Sequence, residues 1–374
     1  MSAPAPLRIP YVNLAAQYAS ERAELLPLID RALASGQYID GPAVAGLEGK
    51  LTQLCGVKNV VALNSGTDAL VFALRALDIG AGDEVITPPN SFVASTAAIV
   101  HVGARPVFAD VLADQNIDPD RIEQAITPRT KAIMPVHLTG RICDMTPIMQ
   151  IAQKHGLSVV EDAAQSIGST YDGRPAGTFG DIGCFSAHPL KNLAALGDAG
   201  FVTTNDDRLA ERIRQLRNHG LVNRNTVESF GFVSRLDTLQ AVALEYRLGR
   251  LDQVIKQRRH NAALYRSLLD ADEMTVPQDR QIEFNTYHTF VIQIDRRDEL
   301  QFHLAQMGIG SAIHYPVPIH LQPAAAALGY GPGDFPVTEQ QAQQILSLPI
   351  NQSLEPANIE EVAHAVNSFI RRKG

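Results

Sequence analysis

The alternation of short apolar runs with amphipathic stretches limits most strictly what this chain can fold into. Five runs rich in β-branched residues occur in the first half, at Asn59–Leu63, Glu84–Thr87, Pro106–Ala109, Ala132–Val136 and Ser158–Glu161. Stretches with helical spacing of apolar residues lie between them, at Gly66–Leu77, Ser95–Val102, Pro119–Ile126 and Met145–His155. This repetition predicts parallel βαβ units, that is, an α/β fold with helices on both faces of a mostly parallel sheet. Functional side chains are then expected at the carboxyl ends of the strands.

The length of the chain predicts two lobes with a cleft between them. It has 374 residues, and a single core stops growing at roughly 250–300 residues. After the long stretch Leu239–Asp270, which has the pattern of one helix, a smaller α/β unit is indicated by Glu283–Ile294, Gln301–Met307, Ile313–Tyr315 and a final helix Asn358–Arg372. We expect a large domain at 26–245 and a small C-terminal domain at 246–374, completed by an N-terminal arm, 1–25.

Composition excludes several classes of protein. The net charge is −8 and no basic run stands out, which argues against a nucleic-acid-binding function, although a small anion could bind locally. Three cysteines far apart, Cys55, Cys143 and Cys184, indicate a reducing compartment and no metal site. The N-terminus lacks the features of a signal peptide and no apolar stretch is long enough to span a membrane, so a cytoplasmic location is expected.

The segment 64–70 places a small polar turn between a predicted strand and a predicted helix. The backbone N–H groups of Gly66 and Thr67, with the Thr67 hydroxyl, would make a site suited to a phosphate. The alternative is a simple helix N-cap, which this segment alone favours.

Two acids, Glu161 and Asp162, stand at the end of another apolar strand and are followed by Ala163, Ala164 and Gln165. A carboxylate close to the sheet interior needs a partner because an unpaired buried charge is costly. A cationic nitrogen on a ligand would serve. The alternative is an acidic strand end exposed to water.

Two cationic side chains lie in irregular segments. Lys191 stands between His188-Pro189 and a loop of small residues, where a desolvated amine can become a nucleophile. Arg235 could clamp a carboxylate or a phosphate. The alternatives are a solvated surface lysine and an ordinary surface ion pair.

Together these segments match what pyridoxal 5′-phosphate requires. Its phosphate needs the helix start, its pyridine nitrogen needs a carboxylate, and its aldehyde needs an amine. The candidate amine of Lys191 follows the candidate carboxylate of Asp162 by 29 positions. Phe92, in a loop after a strand, could stack on the ring, or it could be an ordinary core residue.

With these motifs, and with Gly36–Pro42, Phe335–Glu339 and Leu346–Pro349, the chain resembles the DegT-type sugar aminotransferases over nearly its whole length. The resemblance implies the aspartate aminotransferase fold (fold type I), with a seven-stranded sheet in the large domain. It also implies the cofactor contacts, namely Lys191 bonded covalently to pyridoxal phosphate, Asp162 paired with the pyridine nitrogen, Gln165 on the ring 3-hydroxyl, Phe92 stacked on the ring, Gly66, Thr67 and Ser186 on the phosphate, and Ala164 beside them.

The resemblance implies a reaction in two halves. L-glutamate gives its amino group to the cofactor, and a nucleotide-linked keto sugar then takes it, with Lys191 as acid and base, to make an amino sugar for polysaccharide, glycan or antibiotic biosynthesis. The segments 196–200 and 234–237 look more like relatives that act on 3-keto than on 4-keto sugars. The implied substrate contacts are His188, which could equally cap its loop, Arg235, His314 and Tyr315.

The resemblance further implies a homodimer in which each active site is built from both chains. Gly36–Pro42 and Gly231–Arg235 would be the partner's contribution. Two residues depart from the family pattern: Val233 stands where the family often has an Asn that reaches the phosphate of the neighbouring subunit, and Ala187 follows Ser186 where Phe is usual.

Three other classes of protein share some of these features. A nicotinamide-dependent oxidoreductase lacks support because no Gly-x-Gly-x-x-Gly follows a strand. A dehydratase of the same family would carry histidine in place of Lys191. A non-catalytic regulatory or binding homologue is the remaining alternative, and the intact pair of Asp162 and Lys191 argues against it.

Overall fold

The structure is a computed structural model that describes residues 7–371. The helices are α1 (Leu14–Ala34), α2 (Pro42–Cys55), α3 (Gly66–Ala76), α4 (Val93–His101), α5 (Pro119–Ala125), α6 (Met145–His155), α7 (Asp207–Arg217), α8 (Thr238–Leu248), α9 (Leu251–Leu268), α10 (Arg297–Gln306), α11 (Pro336–Gln344) and α12 (Pro356–Arg371). The strands are β1 (Asn59–Leu63), β2 (Glu84–Thr87), β3 (Arg105–Phe108), β4 (Thr130–Ile133), β5 (Ser158–Asp162), β6 (Thr170–Tyr171), β7 (Arg174–Pro175), β8 (Ile182–Ser186), β9 (Gly200–Thr204), β10 (Leu221–Asn223), β11 (Thr226–Val227), β12 (Glu283–Phe284), β13 (Phe290–Gln293) and β14 (Ile345–Leu348). Within residues 7–371, no helix combines the length and apolar character that a membrane span needs.

In the described part of the chain, seven strands form one sheet in the order β1-β9-β8-β5-β4-β2-β3. All neighbours pair in parallel except β9, which runs antiparallel to both β1 and β8. The expected α/β fold with a mostly parallel sheet is therefore confirmed. Because helices cover both faces, these strands are continuous apolar runs rather than alternating ones.

Two apolar clusters cover the two faces of this sheet. One includes Leu47 of α2, Ile148 of α6 and Leu244 of α8. The other is built around α3, in which Phe72 and Leu74 are almost fully buried. Helix α3 is therefore held along its length by the core, and its N-terminus is fixed at the edge of the sheet.

All but one of the five strands and four helices that the sequence predicted in the first half match the structure to within two residues. The exception is β4, which begins at Thr130 instead of Ala132 and ends at Ile133 instead of Val136. The prediction of one helix at Leu239–Asp270 was wrong. The helix is interrupted at Gly249, which follows α8, and at Arg250, which has φ −111°. Glycine is a poor helix former and commonly ends a helix.

The C-terminal part forms a second core around the antiparallel pair β13 and β14. This core also takes in Ile9, so the chain around Ile9 packs here. The predicted run Glu283–Ile294 is divided, since β12 joins β6 rather than β13. Ile313–Tyr315 forms no strand, and the last residue of the predicted helix Asn358–Arg372 lies outside the described residues, as do residues 1–6. The domain boundary at 245 stays a prediction.

Candidate active site

The candidate residues meet at one edge of the large sheet. Strands β1, β5 and β8 run in the same direction, and they end at Leu63, Asp162 and Ser186. The polar segments that the sequence singled out follow these three ends. Their convergence is the expected result of a parallel topology.

The start of α3 packs directly against the end of β8. A Cβ atom placed on Gly66 would lie 2.7 Å from the Cβ of Ser186, so only glycine permits this approach. Ser65 is the N-cap and accepts a hydrogen bond from the Asp68 N–H at 3.1 Å. The N-cap alternative is therefore correct for Ser65, while the N–H groups of Gly66 and Thr67 belong to the first turn, where a helix offers no internal acceptor.

Asp162 is buried at the end of β5, with 4% of its surface exposed. Its Oδ2 accepts a hydrogen bond from the Ser95 hydroxyl at 2.7 Å, and its Oδ1 accepts one from the Ala164 N–H at 3.2 Å. Burial nevertheless raises the pKa of Asp162, against the opposing effects of these bonds and of Lys191. With one hydrogen bond to each oxygen, the carboxylate can accept further donors, and the interpretation of this strand end as water-exposed was wrong.

Gln165 is held in one orientation. Its Oε1 accepts a hydrogen bond from the Thr139 N–H at 2.8 Å. Because the oxygen is used in this way, the amide NH₂ remains as the donor. Gln165 can therefore donate to an oxygen on a ligand, as the contact with a ring hydroxyl requires.

Lys191 lies in the loop after β8, where its backbone N–H donates to the carbonyl of His188 at 2.8 Å. Burial lowers the pKa of Lys191 to about 8, and the nearby Asp162 opposes that shift. Lys191 is also partly buried, so the alternative of a fully solvated surface lysine is wrong. His188 does cap this loop, because its Nδ1 accepts from the Leu190 N–H at 3.2 Å.

Aromatic side chains form the outer wall of the site. Phe92 is 55% exposed, and its ring centroid lies 5.7 Å from that of Tyr315. It is therefore not the core residue of the alternative interpretation. Burial, and to a smaller extent the nearby Asp162, raises the pKa of the Tyr315 phenol. His314 has its Nδ1 2.9 Å from the Ser347 hydroxyl, and burial beside Lys191 lowers its pKa to about 4, so the ring is neutral at pH 7.

Arg235 is held by an amide side chain rather than by an acid among the described residues. Its Nη1 donates to the Asn218 side-chain oxygen at 3.2 Å, and its Nε is buried without a partner among residues 7–371. The surface ion pair offered as an alternative does not form among the described residues. The preceding Ser234 hydroxyl donates to Asn64, which fixes this segment beside the end of β1.

The sequence did not identify several residues that support the site. Ser95, Thr139 and His137 are ordinary residues in the sequence, and only the fold brings them to Asp162, Gln165 and Glu161. For His137 the sequence offered one signal. It directly follows the apolar run Ala132–Val136, whose carboxyl end was expected at the same edge of the sheet as Asp162.

The arrangement can hold a flat, phosphorylated cationic ring. The start of α3 and Ser186 suit a phosphate, the undercompensated carboxylate of Asp162 suits a protonated ring nitrogen, and the Gln165 amide suits a ring hydroxyl. A largely buried amine with a lowered pKa suits an aldehyde. The side chains present therefore fit pyridoxal phosphate.

Comparison with known proteins gives consistent results. A model described as the DegT/DnrJ/EryC1/StrS aminotransferase family matches residues 19–367. The chain is 43% identical over 366 residues to a UDP-N-acetyl-3-dehydro-alpha-D-glucosamine 3-aminotransferase of Acidithiobacillus ferrooxidans, covering 96% of this chain and 97% of that protein. It is 39% identical to a pleiotropic regulatory protein of Geobacillus stearothermophilus, covering 98% and 99%.

A solved structure has the same fold. The crystal structure of Streptomyces venezuelae DesV in complex with a ketimine intermediate superposes with a TM-score of 0.95 at 42% identity, covering 98% of this chain and 99% of that one. The expected transferase fold is therefore confirmed.

Proposed function

The chain belongs to the DegT/DnrJ/EryC1/StrS aminotransferase family, and on that basis we propose that it transfers an amino group from L-glutamate to a nucleotide-linked keto sugar with pyridoxal phosphate as its cofactor. The product would be an amino sugar. The observation that carries the proposal is the pairing of a buried, undercompensated Asp162 with a Lys191 amine whose pKa is lowered, at the end of the same sheet.

Each part of the cofactor has a partner in this proposal. When bound, pyridoxal phosphate supplies an aldehyde that can carry an amino group and a protonated ring that withdraws electrons. Asp162 keeps the ring nitrogen protonated, and Ser95 keeps Asp162 in place. Gly66, Thr67 and Ser186 bind the phosphate.

Lys191 has two roles. At a pKa of about 8, about half of the amine is neutral at pH 8, against roughly one in 300 for an ordinary lysine. A neutral Nζ can attack an aldehyde, and the same Nζ, once released, can take a proton from a substrate carbon and return it. A preformed position close to that carbon makes such transfers efficient.

The substrate side is proposed to be formed by His188, His314 and Tyr315, with Arg235 contributed by the second chain. The capped His188 still has its Nε2 available for a substrate. The neutral imidazole of His314 can donate a hydrogen bond to a keto or hydroxyl oxygen without adding charge. The Acidithiobacillus relative is named for a 3-dehydro sugar, which supports a 3-keto sugar over a 4-keto sugar here.

A homodimer is part of the proposal. Tyr38 is 55% exposed and Phe230 is 97% exposed, while Ile39 and Val233 are also exposed. A second copy would cover these side chains and bring the partner's segment 231–235 to the site. Light scattering should give twice the chain mass, and a fully active monomer would contradict this arrangement.

A reducing, cytoplasmic location is proposed as well. Cys55, Cys143 and Cys184 are buried and form no disulfide. Unpaired cysteines of this kind are typical of reducing compartments.

A regulatory function without catalysis is the second candidate, since the Geobacillus relative is named a regulatory protein. The retained Lys191, with its lowered pKa, supports catalysis instead. A binding protein would have no need of that amine.

The proposal is tested with isotope-labelled glutamate and a panel of UDP- and dTDP-linked 3-keto and 4-keto sugars. We expect the labelled amino group in the sugar product, seen by mass spectrometry, and no transfer by Lys191→Ala. Full transfer by Lys191→Ala would refute the role of Lys191. Transfer to 4-keto sugars alone would refute the 3-keto preference.

A further inference from the structure

A second cavity of about 270 Å³ lies outside the candidate active site. One side is lined by residues 113–115, 139 and 141, and the other by residues 275–278 and by alternate residues from 285 to 293. We call it the Asp114 cleft. Its volume is near the lower end of the range for small-molecule sites, roughly 300–1,000 Å³, so it suits a single ring.

Two buried polar atoms line the Asp114 cleft without a partner. The side-chain oxygens of Asn285, 3% exposed, and Thr289, 4% exposed, accept or donate no hydrogen bond among residues 7–371. The orientation of the Asn285 amide is set by its Nδ2, which donates to Asp279 at 2.8 Å. An acceptor left in this state costs about 1–3 kcal/mol, so the cleft is suited to a ligand with hydrogen-bond donors.

The carboxylate of Asp114 also has few close partners. It accepts the Asn116 N–H at 3.1 Å, but the Nη1 of Arg141 is 3.7 Å away. Arg141 is shared, because its Nε lies 3.2 Å from Glu283 and its Nη2 bonds to the carbonyl of Gln278. Burial raises the pKa of Asp114 despite Arg141. A cationic donor would complete its set of partners.

Part of the remaining wall is apolar. Val276, Pro277 and Val291 line the cleft beside these polar groups. A ligand with hydroxyls at its edge and C–H groups on its face fits both parts of the lining. From the carboxylate, the two free oxygens and the size of the cavity, we propose that the Asp114 cleft is a second binding site, for an amino sugar whose ammonium pairs with Asp114 and whose hydroxyls donate to Asn285 and Thr289.

The Asp114 cleft is connected to the cofactor-contacting residues by two short hydrogen-bonded paths. The Thr289 N–H donates to the Thr139 carbonyl at 3.3 Å, and the Thr139 N–H donates to Gln165 at 2.8 Å. On the other side, the Gln115 carbonyl accepts a hydrogen bond from the Asn90 side chain at 2.8 Å. Asn90 lies in the loop that leads to the exposed ring of Phe92. The Asp114 cleft is therefore adjacent to the proposed active site, and a second sugar site there goes beyond the proposed function.

The test is ligand-observed saturation-transfer NMR of the full chain with D-glucosamine as the probe. Ala113→Trp should obstruct the cleft and abolish saturation transfer to D-glucosamine. Ala327→Trp, at another exposed alanine, should leave the saturation transfer unchanged. Thr289→Val keeps the shape but removes the hydroxyl, and it should weaken binding roughly three- to tenfold. N-acetyl-D-glucosamine, which lacks the cation, should bind more weakly than D-glucosamine.

Absence of saturation transfer at about 10 mM D-glucosamine would overturn the proposal, because that concentration is about tenfold above a Kd of about 1 mM. Saturation transfer that persists in Ala113→Trp, together with an unchanged affinity in Thr289→Val, would overturn it too, because the probe would then bind elsewhere. If Ala113→Trp fails to fold by circular dichroism, Thr289→Val decides the question. The same measurement without added pyridoxal phosphate separates this proposal from the proposed aminotransferase function. A protein that fails to take up the cofactor would contradict the aminotransferase function, but D-glucosamine should still bind in the Asp114 cleft.

Discussion

Replacing Glu161 with Gln should destabilise the protein far more than an isosteric change usually does. Glu161 is fully buried on β5, beside the candidate cofactor ligand Asp162. Its Oε2 accepts from His137 Nε2 at 2.9 Å and from the Gly177 N–H at 2.8 Å. Its Oε1 accepts from the backbone N–H groups of residues 179 and 180 at 2.6 and 2.7 Å.

The magnitude follows from these four donors. Whichever carboxylate oxygen is replaced by the NH₂ of the amide, two N–H donors then face a donor instead of an acceptor. His137 cannot adapt by moving its proton, because its Nδ1 already accepts from the Cys143 N–H at 3.2 Å. A hydrogen bond to a charged group contributes about 1.5–3 kcal/mol, so the loss of two costs about 3–6 kcal/mol. That is a large part of a typical total stability of about 5–15 kcal/mol.

The assay is urea unfolding of the protein without added cofactor, followed by circular dichroism. Glu360→Gln, at an exposed site on α12, is the matched control and should change the free energy of unfolding by less than about 0.5 kcal/mol. A loss below about 1 kcal/mol for Glu161→Gln would refute the argument that four buried donors depend on this carboxylate.

Three further predictions concern the cofactor site. Ser95→Ala removes the hydroxyl that lowers the pKa of Asp162, so the pKa of Asp162 should rise further and the loss of cofactor binding on acidification should occur at higher pH in an absorbance titration. Gly66→Ala forces a Cβ to within 2.7 Å of Ser186 and should weaken binding of pyridoxal phosphate about tenfold or more while changing binding of pyridoxal, which has no phosphate, much less. Acylation of Lys191 in the cofactor-free protein should rise with pH around a midpoint near 8 rather than 10.5, and Asp162→Asn should lower that midpoint because the carboxylate raises the pKa of the amine.

The sequence predicted five of the seven strands of the sheet, and it singled out the candidate cofactor ligands, because both depend on local signals. Apolar β-branched runs marked the strands, and Asp162 and Lys191 stood at strand ends where unusual residue types are conspicuous. The identification of Gly66 also had a physical reason, since the approach to Ser186 admits no side chain.

The supporting contacts could not be predicted in the same way. Ser95 on α4 reaches Asp162 across 67 positions, and Thr139 reaches Gln165 from a loop. Nothing in their local sequence distinguishes them from other hydroxyl residues. The break at Gly249 was missed because apolar residues keep helical spacing across it, although the glycine itself was a signal.

Absorbance spectroscopy of the purified protein with pyridoxal phosphate tests the central claim most directly. We predict a visible absorption band that is lost on adding L-glutamate and returns with a keto acceptor, and that Lys191→Ala does not develop the same band. A protein that stays colourless and takes up no pyridoxal phosphate, or a Lys191→Ala variant with an unchanged spectrum, would contradict it.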